Sequence, residues 1–219
     1  MSTPNTEQAR FNMAEQQIRP WEVTDSAVLN VIQTVPRENF TPYAYKGLAF
    51  ADTEIPIGEG QHMMAPKIEA RMLQALAIKP SDHILEVGTG SGFITACLAK
   101  LGNHVVSYEI HESLTEQARE KLALSGISNV SLHTANVLTD PPSATTFDVI
   151  AVTGSLNEHD GLQQLLSPGG RMFVVSGHSP VMQALLITRD KEGQFQQTAL
   201  FETELQALEG LPKVDEFVF

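Results

Sequence analysis

The sequence predicts a doubly wound α/β fold: a mostly parallel, seven-stranded sheet with helices on both faces and an N-terminal helical cap. Three observations support this prediction. Strand and helix patterns alternate from Asp82 onward, the first of these strands ends in a glycine-rich turn, and the first third of the chain has helical periodicity. Because a helix between two strands returns the chain to the same end of the sheet, the alternation indicates parallel strands in a Rossmann-like core.

The elements of the core follow one another at short intervals. Strands are predicted over residues 83–87, 104–109, 130–133, 147–152 and 170–175, and helices over 93–101 and 112–125. The last two strands, over 182–189 and 195–201, are predicted to close the sheet as an antiparallel pair.

Two helices are predicted in the first third, over residues 8–18 and 26–33, where apolar residues recur at helical spacing. Pro20 ends the first helix, because proline has no N–H to donate. The second begins after Thr24 or Asp25, either of which can cap its free N–H groups. These helices are expected to form a cap on the core.

Residues 42–66 are rich in Pro and Gly without sustained periodicity, which predicts an ordered loop of the kind that often carries function. A helix is predicted over 67–76. The length fits one domain over 1–219, with the cap and this loop in 1–80 and the Rossmann-like core in 81–219.

The composition is that of a globular protein, with 42% hydrophobic residues and 18% charged residues. No apolar run approaches the ~20 residues that span a bilayer, and residues 1–10 lack a signal-peptide pattern, so we expect a cytoplasmic protein without membrane contact. The formal net charge of -12 disfavours nucleic acid as a partner. The single cysteine, Cys97, allows no intramolecular disulfide, and the histidine spacings predict no metal site.

The strongest functional signal is L-E-V-G-T-G-S-G at residues 85–92, where the first core strand ends. Its three glycines allow positive φ and close approach of a ligand, and the following helix offers free N–H groups. A dinucleotide-binding turn has the spacing G-x-G-x-x-G, but Phe93 occupies the third glycine position, which disfavours NAD. No Gly-Lys-Ser/Thr follows, so a phosphate-transfer site is not predicted.

A second signal is Glu109, which ends the second core strand. An acidic side chain about 20 residues after the first glycine can bind both ribose hydroxyls of NAD or of S-adenosylmethionine (SAM). The E-x-G-x-G-x-G turn followed by this acid is similar to that of class I SAM-dependent methyltransferases. The sequence therefore favours SAM as the cofactor.

Further segments narrow this resemblance. About residues 15–190 resemble protein-L-isoaspartate O-methyltransferases in the order and spacing of their motifs. The segments are V-P-R-E-N-F-T-P (35–42), A-F-A-D-T-E-I-P-I-G-E-G-Q (49–61), the glycine-rich turn (85–92), F-D-V-I-A-V-T (147–153) and L-L-S-P-G-G-R (165–171). The resemblance implies methyl transfer from SAM to the carboxylate of isoaspartyl residues in damaged proteins.

The resemblance also implies a cofactor site. The glycine-rich turn would hold the methionine part of SAM, Glu109 the ribose, and Asn136 the adenine, where the family has an acidic residue. An amide oxygen can still accept a hydrogen bond from the adenine amino group. The implied cofactor-binding residues are Gln61, Glu86, Gly88, Thr89, Gly90, Ser91, Gly92, Glu109, Ile110, Asn136 and Val137.

The implied acceptor site departs from the family pattern. His62 and Met64 stand where the family has the hydroxyl residues of a T-I-S motif, so hydroxyl donors are replaced by an imidazole and a thioether. A protonated His62 would attract a carboxylate, and a neutral one would accept a proton from a hydroxyl or amine nucleophile. The implied catalytic residues are His62 and Thr153. The implied substrate-binding residues are Ile57, Gly58, His62, Met63, Met64, Thr153 and Ser155.

Several functions remain open at this stage. The first is carboxyl methylation of an isoaspartyl peptide or protein by a monomer or homodimer. The second is methylation of a small-molecule acceptor, such as a free acid, a phenol or a quinone-like ring, which Met63 and Met64 could contact. The third is a SAM-binding protein with degenerate catalysis, and NAD-dependent chemistry is the least favoured. Because the SAM sulfonium activates its methyl group, we expect no nucleophilic residue and no metal in the reaction.

Overall fold

The computed structural model describes residues 6–142, 145–157 and 159–210, so residues 211–219 of the predicted domain lie outside the described part. In chain order its elements are α1 (Thr6–Met13), a π-helical turn (Ala14–Ile18), a 3₁₀ turn (Arg19–Trp21), α2 (Ser26–Thr34), α3 (Arg37–Phe40), a 3₁₀ segment (Tyr43–Leu48), β1 (Ile55–Gly58), β2 (Gln61–Met63), α4 (Pro66–Leu76), β3 (His83–Val87), α5 (Phe93–Leu101), β4 (His104–Glu109), α6 (Glu112–Leu124), β5 (Val130–Thr134), β6 (Phe147–Ser155), α7 (Asp160–Gln163), β7 (Leu166–His178), β8 (Val181–Arg189) and β9 (Phe195–Glu202).

Seven strands form one sheet in the order β5-β4-β3-β6-β7-β8-β9. Strands β3 to β7 pair in parallel, and β8 and β9 add antiparallel to the edge. The strand order reverses at β3, because the chain leaves it toward β4 and returns on its other side with β6. Ligands of doubly wound folds bind in the crevice at such a reversal, outside the carboxyl ends of the strands. The predicted fold class is confirmed.

Two apolar clusters cover the two faces of the sheet. Successive side chains of a strand point to opposite faces, so Ile84 belongs to one cluster and Leu85 to the other. The first cluster continues into the N-terminal helices through residues such as Ile32. The second takes in Leu162 of α7. The helical cap and one face of the sheet therefore share one apolar cluster.

The start of α2 confirms one of the two predicted caps. The Asp25 carboxylate accepts the N–H groups of Ala27 and Val28 at 2.8 and 3.1 Å, so Asp25 rather than Thr24 is the capping residue. The first helix is less regular than predicted, because it widens into the π-helical turn and then tightens into the 3₁₀ turn that contains Pro20. In the described ranges, no helix combines the length and the apolar character needed to cross a bilayer.

Residues 42–66 contain regular structure that the sequence did not predict. They form the 3₁₀ segment and an antiparallel hairpin of β1 and β2, so the prediction of a loop alone was wrong. Strands of four and three residues are too short to show a period of two. The hairpin turn depends on the positive φ angles of Gly58 (102°), Glu59 (52°) and Gly60 (71°). Helices α3 and α7 were also not predicted, because four residues are too few to show helical periodicity.

Candidate active site

The glycine-rich turn lies at the strand reversal, between the end of β3 and the start of α5. The N–H groups of Gly88 and Thr89 donate to the carbonyl oxygen of Tyr108 at 2.9 and 3.3 Å, which fixes the turn to the end of β4. The φ angles of Gly88, Gly90 and Gly92 are 94°, 52° and 85°, in the region that favours glycine. The backbone conformation by itself therefore requires glycine at these three positions.

The same turn leaves a cradle that a side chain would fill. A Cβ at Gly88 would collide with the Oγ1 atom of Thr153, and a Cβ at Gly90 would lie 3.2 Å from Ile57. Thr153, on β6, donates its hydroxyl to the carbonyl oxygens of Gly88 and Val87 at 2.6 and 3.0 Å. Thr153 thus holds the turn from the neighbouring strand.

Glu109 ends β4 beside this turn and is only 6% exposed. One carboxylate oxygen accepts the N–H of Gly90 at 2.9 Å, and the other accepts the N–H of His111 at 3.1 Å. Each oxygen has a further lone pair, so the carboxylate can also accept hydrogen bonds from two hydroxyl groups.

Glu86 supports the turn from below. Its carboxyl group is fully buried, and one oxygen accepts hydrogen bonds from the hydroxyls of Thr95 and Ser107, both at 2.6 Å. The hydroxyl of Ser107 lies 2.6 Å from that of Thr89 in the turn. Burial raises the pKa of Glu86 to about 8, although the two hydrogen bonds act in the opposite direction. Glu86 is therefore placed to hold the turn rather than to face a ligand.

One cleft joins the turn to the hairpin of β1 and β2. Most predicted site residues line it: Ile57, Gln61, His62, Met64, Gly88, Gly90, Glu109, Ile110, Asn136, Val137 and Thr153. A small adjoining cavity is lined by Met63, Thr89 and Ser91, and a second cleft is lined by Ser155. Gly58, Glu86 and Gly92 line none of these spaces. Gly92 instead packs against α6, where an added Cβ would lie 3.1 Å from that of Ala118.

Residues 205–209 also line the cleft beside the glycine-rich turn, and the sequence did not predict them. They run beside β6, where the N–H of Ser155 donates to Gln206 and the N–H of Leu208 donates to Ser155, at 2.9 and 3.0 Å. Nothing in the local sequence marks this segment as part of a site, since it has neither glycine spacing nor a charge pattern. Other lining residues that were not predicted are Glu54, Val87, Tyr108, His111, Ala135, Leu138 and Gly154.

This C-terminal segment bonds to both ends of the cleft. At the hairpin end, the amide of Gln61 donates to the carboxylate of Glu209 at 2.5 Å. At the other end, the amide of Asn136 donates to the carbonyl oxygen of Gly210 at 2.8 Å, and its oxygen accepts the N–H of Leu138 at 3.0 Å. The segment therefore crosses the cleft between the predicted acceptor and adenine regions.

His62 is exposed at the hairpin end, and its Nδ1 atom lies 3.1 Å from the Oε1 atom of Gln206. The amide nitrogen of Gln206 donates to the carbonyl oxygen of Gly60 at 3.1 Å. The neighbouring Met64 is only 5% exposed and forms part of the cleft wall.

A buried ion pair holds the hairpin from the protein side. The guanidinium of Arg37 binds both carboxylate oxygens of Glu69 at 3.0 Å and donates to the carbonyl oxygens of Ala49 and Met64 at 2.9 and 2.7 Å. It also lies over the ring of Phe93, the residue that follows the glycine-rich turn. Arg37 therefore links residues on both sides of the hairpin to the residue that follows the glycine-rich turn.

Comparison with known proteins places this chain in a family. The family model described as protein-L-isoaspartate(D-aspartate) O-methyltransferase (PCMT) matches residues 9–208. This chain belongs to the PCMT family. The protein-L-isoaspartate O-methyltransferase of Koribacter versatilis is 38% identical to it over 202 residues, 92% of this chain and 90% of that protein. The enzyme of that name from Methylorubrum extorquens is 38% identical over 88% of this chain and 85% of its own length.

The PCMT fold is also found among solved structures. A protein from Plasmodium falciparum, described as a PCMT in complex with S-adenosyl-L-homocysteine, has a TM-score of 0.80 and 24% identity, covering 91% of this chain and 98% of its own. Family membership confirms the predicted class of enzyme, a SAM-dependent methyltransferase, and its cofactor, SAM.

Proposed function

We propose that this chain transfers the methyl group of SAM to the side-chain carboxylate of isoaspartyl residues in peptides or proteins. The observation that carries the proposal is the cleft that joins the glycine-rich turn and Glu109 to the hairpin with His62. Direct transfer requires the cofactor and the acceptor to meet in one space where their reacting atoms can be aligned, and this cleft joins the two regions. The names of the relatives supply the acceptor.

The cofactor end fits SAM by its donor and acceptor groups. In this proposal the cradle at Gly88 and Gly90 holds the methionine part, and Glu109 accepts the two ribose hydroxyls. Asn136 and Val137 contact the adenine. Glu86 and Thr89 act through the turn, since both belong to the hydrogen-bond network that supports it.

The acceptor end aligns the carboxylate. Bound SAM supplies a methyl group on a sulfonium, which an ionised carboxylate attacks without a strong base. Ile57, His62 and Met64 form the wall around the acceptor, and Thr153 keeps the turn in place through its hydrogen bond to Gly88. Alignment and exclusion of water are then the main tasks of the protein.

Transfer of labelled methyl from SAM to a synthetic isoaspartyl peptide tests the proposal, with the matching aspartyl peptide as the control. Base-labile label on the isoaspartyl peptide alone is expected, because methyl esters hydrolyse in base. Label on neither peptide, with SAM bound in a parallel titration, would show that the acceptor is a different one. The cytoplasmic location, the exclusion of nucleic acid and the oligomeric state remain predictions.

A further inference from the structure

The hydrogen bonds of Gln206 determine which nitrogen of His62 carries the proton. The carbonyl oxygen of Gly60 can only accept, so the nitrogen of the Gln206 amide must face it. The amide oxygen of Gln206 then faces His62 and can only accept, so Nδ1 of the neutral ring carries the hydrogen. The Nε2 atom is left with an unprotonated lone pair, and no described residue hydrogen-bonds to it.

Three side chains that line the cleft use their donors within the protein. The hydroxyl of Thr153 donates to Gly88, and the amides of Gln61 and Asn136 donate to Glu209 and Gly210. Among the described residues that line the cleft there is no Lys or Arg. A neutral His62 therefore presents an acceptor, which suits an incoming group that brings its own proton.

We propose that His62 is a general base for a second class of acceptor, a phenol, and that Gln206 is the residue that positions it. The phenolic O–H gives its proton to Nε2 while the oxygen attacks the SAM methyl carbon. The C–S bond breaks, its electron pair stays on sulfur, and the products are a methyl ether, S-adenosylhomocysteine and imidazolium. The inference rests on the proposed cofactor site but not on the isoaspartyl acceptor.

The surroundings of His62 fit an aromatic acceptor. Ile57, Met64 and Leu205 give the cleft an apolar wall for an aromatic ring. The other titratable side chains that line the same cleft are those of Glu54, Tyr108, Glu109, His111 and Glu209.

The test is transfer of labelled methyl from SAM to p-cresol, with the product separated from base-labile esters by treatment with base. The wild-type protein is expected to give base-stable label. His62→Asn should lower kcat by about 100-fold, within the range of general-base catalysis, while the Kd of SAM changes by less than about twofold. Gln206→Leu should lower kcat about tenfold. Gln206→Glu, which still accepts from Nδ1 but no longer donates to Gly60, should recover part of that loss. The matched control is Gln196→Leu, which replaces an exposed glutamine of β9.

Each result decides the inference. Base-stable label that depends on His62 and is rescued by Gln206→Glu supports it, even if the isoaspartyl peptide is not methylated. The absence of base-stable label from the wild-type protein with SAM bound would overturn it while leaving the isoaspartyl function intact. Equal kcat for wild type and His62→Asn would also overturn it, and failure to bind SAM would remove both this inference and the proposed function.

Discussion

The Nδ1 atom of His62 lies 3.1 Å from the Oε1 atom of Gln206, although 144 residues separate the two in the chain. The contact joins the hairpin of β1 and β2 to the C-terminal segment that crosses the cleft. It also orients the imidazole of His62 at the hairpin end of the cleft. The hairpin end of the cleft is therefore assembled from segments that lie far apart in the chain.

Replacing Gly88 with Val is expected to abolish SAM binding. Its φ of 94° is unfavourable for a β-branched residue, and the added Cβ would collide with Thr153. Titration calorimetry should show no heat of binding for this variant. Gly47→Ala is the control, since no atom lies within 4 Å of the new Cβ. Wild-type affinity in Gly88→Val would contradict the cofactor assignment.

Replacing Met64 with Ser is expected to raise kcat/KM for an isoaspartyl peptide about tenfold, which corresponds to about 1.4 kcal/mol in the transition state. The side chain is part of the cleft wall, and Ser would return a hydroxyl donor for the carboxylate. Met64→Ala creates similar space without the hydroxyl. A gain of equal size in both variants would show that space, rather than hydrogen bonding, limits the wild-type protein.

Replacing Arg37 with Leu is expected to lower the free energy of unfolding by about 3–5 kcal/mol, because Glu69 would remain buried without its partner. Burial already raises the pKa of Glu69, with Arg37 acting in the opposite direction. Urea denaturation measures the loss. Arg19→Leu removes an exposed ion pair with Glu15, and its effect should stay below about 1 kcal/mol. Similar effects of the two substitutions would show that burial of the Arg37–Glu69 pair does not determine its contribution to stability.

Glu86 should make the protein less stable as the pH rises. Its pKa is raised from 4.5 to about 8, so the folded protein keeps a proton that the unfolded chain has lost. Its stabilising contribution is complete below pH 4.5 and disappears as the pH rises toward about 8, a change of about 4–5 kcal/mol.

The Glu86→Gln substitution removes this titration. In urea denaturation, the unfolding free energy of the variant relative to wild type should increase between about pH 5 and about pH 8 and then become constant. Glu192→Gln, at an exposed position between β8 and β9, should give no such trend. Parallel pH profiles for wild type and Glu86→Gln would mean that Glu86 is ionised in the folded protein.

The core could be predicted from sequence because its signals are local. The backbone conformation of the turn requires the glycines at 88, 90 and 92. The strands and helices are visible because a strand buries every second side chain and a helix every third or fourth. The hairpin of β1 and β2 could not be predicted in this way, since its strands are shorter than the period that would reveal them. Its position depends on Arg37, which holds the carbonyl oxygens of Ala49 and Met64.

The sequence by itself determined the doubly wound fold, the glycine-rich turn and the acid at Glu109, because each depends on a few neighbouring residues and their spacing. Only the tertiary structure decided that Glu86 lies beneath the turn, that Gln206 contacts the ring of His62, and that residues 205–209 line the cleft. These features arise from contacts between segments far apart in the chain. Which residues meet depends on how the whole sheet packs, so a local pattern of residues does not predict these contacts.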